Sequence, residues 1–183
     1  LLKKKEELQK NLEQDCRVLS EERKRAAADL SAGIRDGLKE LNFLSVEFEI
    51  RFSRTASYSR KGYDAVEFLI STNPGEPVKP LAPVVSGGEL SRIMLAIKTL
   101  LADKDDTETL IFDEIDTGIS GRTAQKVSEK MARIGRNHQV ICITHLAQIA
   151  AMADHHFEIA KSVENASTIS RIRELNSEES VEE

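Results

Sequence analysis

Cysteine is scarce in this chain: only Cys16 and Cys142 carry a thiol, and neither has a CxxC partner or a histidine at metal-ligand spacing. That pattern fits reduced thiols in a cytosolic protein and excludes a zinc site. Long apolar runs are missing too, since none approaches the roughly 20 residues that cross a bilayer, and no signal peptide is visible. A basic excess is also lacking, with 26 Lys and Arg against 31 Asp and Glu for a net charge of -5. Residues 164–183 hold six acids against Arg171 and Arg173, so the rest is nearly neutral, and bulk charge argues neither for nor against nucleic acid. What is present suffices for a core: at 183 residues and 40% hydrophobic content, one domain can bury roughly 70% of its unfolded surface. The first residue is Leu1 rather than Met, and the opening pattern starts without a cap signal, so the expectation is a piece of a longer protein.

Residues 1–41 place Leu1, Leu8, Leu12, Leu19, Ala26, Leu30, Ile34, Leu38 and Leu41 at steps of seven, four or three. The first thirty residues carry eight Lys or Arg and seven Asp or Glu. A thin apolar stripe with charged flanks predicts a long helix of the coiled-coil kind. Leu44, Val46, Phe48, Ile50 and Phe52 then alternate with polar residues, which predicts a half-buried strand facing its apolar side inward. A second strand follows over 62–72, after a loop whose Arg51, Arg54, Arg60 and Lys61 have no acid among them. A basic hairpin loop of this kind could meet a phosphate backbone or simply be solvated. All four prolines, Pro74, Pro77, Pro80 and Pro83, fall at steps of three, which predicts a stiff extended connector.

After the prolines comes a serine, two glycines and a helical pattern through Leu90, Ile93, Met94, Ile97 and Leu101. Ser86 and Glu89 have the spacing of a capping box, worth about 1 kcal/mol at a helix start. Capping leaves Gly87 and Gly88 unexplained, because glycine in a first turn costs roughly 0.5–1 kcal/mol relative to alanine. Backbone without side chains at the positive end of a helix dipole also suits an approaching phosphate.

Further on, the apolar run Thr109–Phe112 ends in Asp113 and Glu114, and the apolar run at 139–143 ends in Thr144 and His145. Between them Ser120 can cap a helix with Ala124, Val127, Met131 and Ile134 on one face, ended by Gly135. Strand, helix and strand predict a right-handed crossover and two parallel strands buried on both faces. Asp113, Glu114 and His145 would then emerge at the carboxyl ends of neighbouring strands, where open α/β sheets place ligands. In nucleotide hydrolysis a rigid strand-end carboxylate such as Asp113 holds magnesium, and a second group such as Glu114 orients and deprotonates water. His145 could sense a terminal phosphate. Each alone has a plainer reading, a solvated acidic turn or a satisfied strand-end histidine. Residues 155–161 and 167–175 predict an edge hairpin before a frayed acidic tail.

The run from Ser86 to Arg92 resembles the ABC ATPase signature motif, the run from Leu110 to Asp116 its Walker B strand, Asp116 to Ser120 its D-loop, and Ile143 to His145 its switch region. With the coiled-coil lead-in, residues 43–175 look like the RecN family, the bacterial SMC-like proteins of DNA double-strand break repair. The resemblance implies an α/β fold, the C-terminal lobe of an ABC/SMC-type ATPase head with a parallel sheet core and flanking helices, preceded by a coiled-coil stump. Its divisions are a stump over 1–41, a head lobe over 42–175 and a disordered acidic tail over 176–183. It implies ATP and Mg2+ as cofactors, with Asp113 at the metal and Glu114 and His145 catalytic. Ser86, Gly87, Gly88 and Glu89 would meet the nucleotide of a second head, and Asp116, Thr117, Gly118 and Ser120 would form the D-loop. Many ABC proteins end that loop in Asp rather than Ser120, a variant common in RecN proteins. The implied partners are a second copy through ATP-sandwiched heads, the N-terminal lobe of the same protein, and DNA, with no membrane and a cytoplasmic, nucleoid location. No GxxxxGK[ST] run occurs, so the chain by itself is expected to be inactive. Another coiled-coil ABC ATPase of chromosome maintenance, or an interaction module without chemistry, are the alternative readings.

Overall fold

A computed structural model describes residues 1–81, 86–104, 106–164, 167–176 and 178–182. Pro83 of the proline run and Ser177 and Glu183 of the acidic tail lie outside the described residues. The chain opens with helix α1 (Leu2–Glu40), then strands β1 (Glu47–Ser59), β2 (Gly62–Ser71) and β3 (Lys79–Pro80). Helix α2 (Gly87–Leu101), strand β4 (Thr109–Phe112), helix α3 (Gly121–Ile134), strand β5 (Gln139–Cys142) and the short helix α4 (Ala147–Ala150) follow. Strands β6 (Phe157–Glu164) and β7 (Ser167–Glu174) and a last turn of helix α5 (Glu179–Glu182) end it.

The apolar stripe of α1 has two fates. Leu1, Leu8, Leu12 and Leu19 are exposed, whereas Ile34 and Leu38 are fully buried and Leu41 nearly so. Burying each such side chain contributes about 1.5–3 kcal/mol, so the last two turns of α1 belong to the core. There they join Phe43, Val46, Phe48 and Ile70 of the hairpin, Ile93, Leu95 and Ile97 of α2, and Val127, Met131 and Ile134 of α3. Helix α2 packs between α1 and α3, which is why it buries Arg92, Leu95, Ala96 and Thr99 besides the expected Ile93 and Ile97.

The hairpin departs from the sequence pattern in two places. Leu44, expected to face inward, sits in the turn before β1 and is 79% exposed. The expected basic loop is largely strand, since β1 runs on to Ser59, pairs antiparallel with β2 and bulges between Arg54 and Ser59. Its outer half lies against α1. Arg54 forms an ion pair with Glu13 at 2.7 Å and stacks 4.4 Å from the Tyr63 ring, so this guanidinium is engaged within the chain. Ser20 and Arg23 donate to the buried carboxylate of Asp64 at 2.8 and 2.9 Å, and Cys16, about one turn before Ser20 on α1, is also buried. Strand β3 adds a two-residue edge to β2 through Lys79 and Pro80, the edge position that proline tolerates.

The Asp64 contact has a testable pH dependence. Burial by itself would raise this carboxyl, but the bonds from Ser20 and Arg23 outweigh it and hold the group below its ordinary value. A lowered folded value contributes stability above the unfolded value of about 3.9 and loses it as pH falls through the folded one. Asp64→Asn is therefore expected to lower the thermal midpoint at pH 7, with a deficit that shrinks as pH falls below the unfolded value of about 3.9. At pH 8 it should also quicken alkylation of Cys16. Thermal melts across pH and thiol labelling check both, and a deficit independent of pH would show that the carboxylate charge is irrelevant.

Strands β4 and β5 pair in parallel from Thr109 with Gln139 to Phe112 with Cys142, as the crossover pattern predicts. Burial on both faces is overturned: Leu110, Phe112, Val140 and Cys142 join the core, but Ile111 and Ile141 on the other face are 67% and 44% exposed. A continuous apolar run does not say which element covers which face. Burial pushes the Cys142 thiol up to about 11, with the charges of Asp116 and Asp113 adding to it, so this sulfur is no nucleophile. The β6–β7 ribbon pairs from Phe157 with Glu174 to Glu164 with Ser167, and leaves Phe157, Ile159 and Ile172 exposed. Asn176 then accepts from the Glu178 and Glu179 amides, and Glu179 pairs with Arg173.

Candidate functional site

Helix α2 runs antiparallel to β4 in the chain's path, so its amino end arrives where β4 ends. Ser86 caps it, accepting from the Glu89 amide at 3.4 Å while the Glu89 carboxylate accepts from the Ser86 amide at 3.1 Å. The capping box predicted from the spacing is therefore formed, and Ser86 and Glu89 are engaged with each other.

The glycines have a reason that the sequence did not suggest. A methyl group added at Gly87 would lie 2.3 Å from Glu114 Oε2, and one added at Gly88 would lie 2.7 Å from the Glu114 carbonyl oxygen and 3.0 Å from Thr117 Cβ. Both Cβ positions are thus filled from within the same chain, by the turn that follows β4. The close approach of the Glu114 turn is thus a requirement for glycine besides the approaching phosphate expected from the sequence; Gly87 is exposed and Gly88 is buried.

That turn is itself unusual. Glu114 has φ 55°, the left-handed region that costs a non-glycine residue roughly 1–2 kcal/mol. Its amide donates to Asp113 Oδ1 at 2.8 Å and its carbonyl accepts from the Thr117 amide at 3.0 Å, which holds the strained residue in place. Ser91 of α2 donates to the Asp113 carbonyl at 2.7 Å. Asp113 and Glu114 present exposed side chains, while Ile115 and Asp116 turn inward and are buried.

Asp116 links the two strand ends. It accepts from the Thr144 hydroxyl at 2.5 Å and the His145 amide at 2.8 Å, and lies 3.0 Å from His145 Nδ1. Burial would raise its carboxyl, yet the Thr144 and His145 bonds overcome this and keep it below its ordinary value, ionised at neutral pH. The imidazole of His145 is otherwise exposed, at 74%. Sequence reasoning placed Asp113, Glu114 and His145 at the ends of neighbouring strands, as they are; the structure adds that His145 is joined to Asp116 and that Glu114 lies against α2. Thr117 and Gly118 sit exposed in the turn, and Ser120 starts α3 without a side-chain cap bond.

Arg92, Ser91 and Thr144 are the residues that sequence reasoning missed. Arg92 lies on α2 and is 8% exposed, its Nη1 donating to the carbonyls of Thr117 at 2.8 Å and Ile115 at 3.3 Å. A charged residue amid the apolar pattern of α2, between Leu90 and Ile93, was the available signal.

A glycine turn opening a helix, two acids after a parallel strand and a histidine after its neighbour make this fold the C-terminal lobe of an ABC/SMC-type ATPase head. Solved structures agree: the SMC head domain with an extended coiled coil from Pyrococcus furiosus aligns with 87% of this chain and 37% of that one, at 20% identity and a TM-score of 0.56. The SMC head with coiled coil and joint from Pyrococcus yayanosii aligns with 86% and 29%, at 21% identity and a TM-score of 0.55. No protein-family model matches the chain. Among curated proteins, the DNA repair protein RecN of Halalkalibacterium halodurans is 46% identical over 97% of this chain, that of Bacillus subtilis 44% over 90%, and that of Deinococcus radiodurans 41% over 91%. The chain belongs to the RecN family and spans about a third of the length of these relatives, 32%, 31% and 29% of them respectively.

Proposed function

We propose that this chain is the second lobe of an ATPase head, which pairs with a second copy around ATP and parts from it on hydrolysis during repair of DNA double-strand breaks. The observation that carries the reading is the meeting of three elements at one edge: the Ser86–Gly88 turn, the Asp113–Glu114 strand end and the Asp116–His145 pair. In this reading a preceding lobe of the same protein supplies the phosphate-cradling loop. Its seat is the exposed face of β4 and β5, and the outward leucines of α1 take the other strand of a coiled coil. The protein works in the cytoplasm, on the nucleoid.

The site residues fit a magnesium nucleotide. Asp113 is exposed with Oδ1 bonded to the next amide, and its Oδ2 has no hydrogen bond among the described residues. One such carboxylate is what a magnesium site asks of the protein when phosphates supply other ligands. Bound magnesium would neutralise charge on the phosphate oxygens. Glu114, exposed on its strained turn, accepts the proton of the attacking water. His145, with Nδ1 held by Asp116, offers Nε2 to the terminal phosphate. The α2 amides at Gly87 face the phosphate bound by the opposing head. Loss of that phosphate removes the shared contact, so hydrolysis drives release.

The test is nucleotide-dependent pairing of the full-length protein, followed by sedimentation with and without DNA. ATP should convert monomer to dimer and ADP should not. The 183-residue chain alone is expected to turn over ATP negligibly in a coupled assay; robust turnover by a pure sample would defeat this division of labour.

A further inference from the structure

The guanidinium of Arg92 is a cation placed where cations are costly. Only 8% of the residue is exposed, its Nε is buried with no hydrogen-bond partner, and among the described residues no carboxylate is in ion-pair contact with it. Burial pulls the group below its ordinary value, and Glu89 on the same helix opposes this only through its distant charge. A buried cation of this kind is no stability device, since an apolar side chain of the same volume does as well or better. Its contacts show a different use. Nη1 donates to Ile115 O and Thr117 O, the carbonyls on either side of Asp116, and the guanidinium carbon lies 5.6 Å from the Phe43 ring centre. The same nitrogen is 3.4 Å from the Cβ position of Gly88. One atom therefore holds both flanks of the acid that holds His145 and sits beside the space that a side chain at Gly88 would enter.

We infer that Arg92 is a positioning residue: by holding the carbonyls of Ile115 and Thr117 it sets Asp116, and through Asp116 sets His145, so that displacement of α2 moves the histidine. This rests on the function proposed above. The inference adds that the start of α2 and the histidine of the same chain move as one unit, linked through a buried cation.

The discriminating experiment uses the full-length protein with Arg92→Met and Arg92→Lys. Met keeps the volume without a donor; Lys keeps a donor without the planar shape. If Arg92 positions Asp116, Met should lower kcat for ATP at least tenfold with little change in KM, while the thermal midpoint stays level or rises. Lys should recover most of that rate. Amide hydrogen exchange reads the same link without turnover: the His145 amide, bonded to Asp116 Oδ2, should exchange at least tenfold faster in Met while α2 core amides do not change. Equal kcat in Met and parent, a midpoint that falls together with kcat, or an unchanged His145 amide would each overturn the inference. Lack of ATP turnover in the parent would sink the proposed function instead, and the exchange experiment would still decide the role of Arg92.

Discussion

Glu114→Gln in the full-length protein is expected to lower steady-state ATP turnover by about 10²–10⁴-fold, the usual contribution of a positioned general base. That corresponds to roughly 3–5 kcal/mol of barrier. Gln keeps the shape that fills the space above Gly87 and removes the basic oxygen. Nucleotide-driven pairing should thus survive, and dimers should persist in ATP where those of the parent dissociate. Turnover and sedimentation measured on one preparation test both halves. Unchanged turnover would remove Glu114 from the chemistry, whereas loss of pairing together with turnover would give it a structural role at the turn.

Gly88→Ala should be far more disruptive than Gly87→Ala, although the glycines are adjacent. At Gly88 the new methyl meets the Glu114 carbonyl at 2.7 Å and the Thr117 branch carbon at 3.0 Å. Main chain must move to admit it, a distortion costing about 1–3 kcal/mol, or roughly 2–4 °C of thermal midpoint per kcal/mol at this chain length. The strained Glu114 moves with it, so turnover should fall more than tenfold. At Gly87 the methyl meets only the tip of the Glu114 side chain, at 2.3 Å, and that exposed carboxylate can swing away. Gly87→Ala should hold its stability to within about 0.5 kcal/mol. Equal thermal deficits in the two variants would refute the claim that the close packing at Gly88, rather than glycine itself, sets the requirement.

The elements legible in the sequence were those whose pattern and environment agree. The capping box at Ser86 is a local arrangement, so spacing was sufficient to place it. The parallel β4–β5 pair followed from the crossover rule. Illegible were facts decided by distant segments. Nothing near Leu44 in sequence reveals that the chain is still turning there, and nothing near Ile111 reveals that its face of the sheet is bare. The stretch at 53–59 reads as a loop because it is polar, yet it runs on as strand because α1 gives Arg54 and Tyr58 a partner in Glu13 and anchors the facing strand at Asp64 through Ser20 and Arg23. In the site, residue types at strand ends announced Asp113, Glu114 and His145. Their mutual arrangement did not follow, because a left-handed residue at Glu114 and an inward turn at Asp116 redirect both side chains.

Helix α1 has 39 residues, a rod of about 58 Å. The hairpin grips it at Glu13, Ser20 and Arg23, beyond the turns that enter the core. A shaft clamped at two separate stations cannot swivel freely at its root. Tilting the head by about 10° therefore carries Leu2 through about 3 Å relative to Glu13, roughly 17 Å away along the helix. Small motions at the edge where α2, β4 and β5 meet would thus be passed along the shaft as amplified travel rather than absorbed in a loose joint.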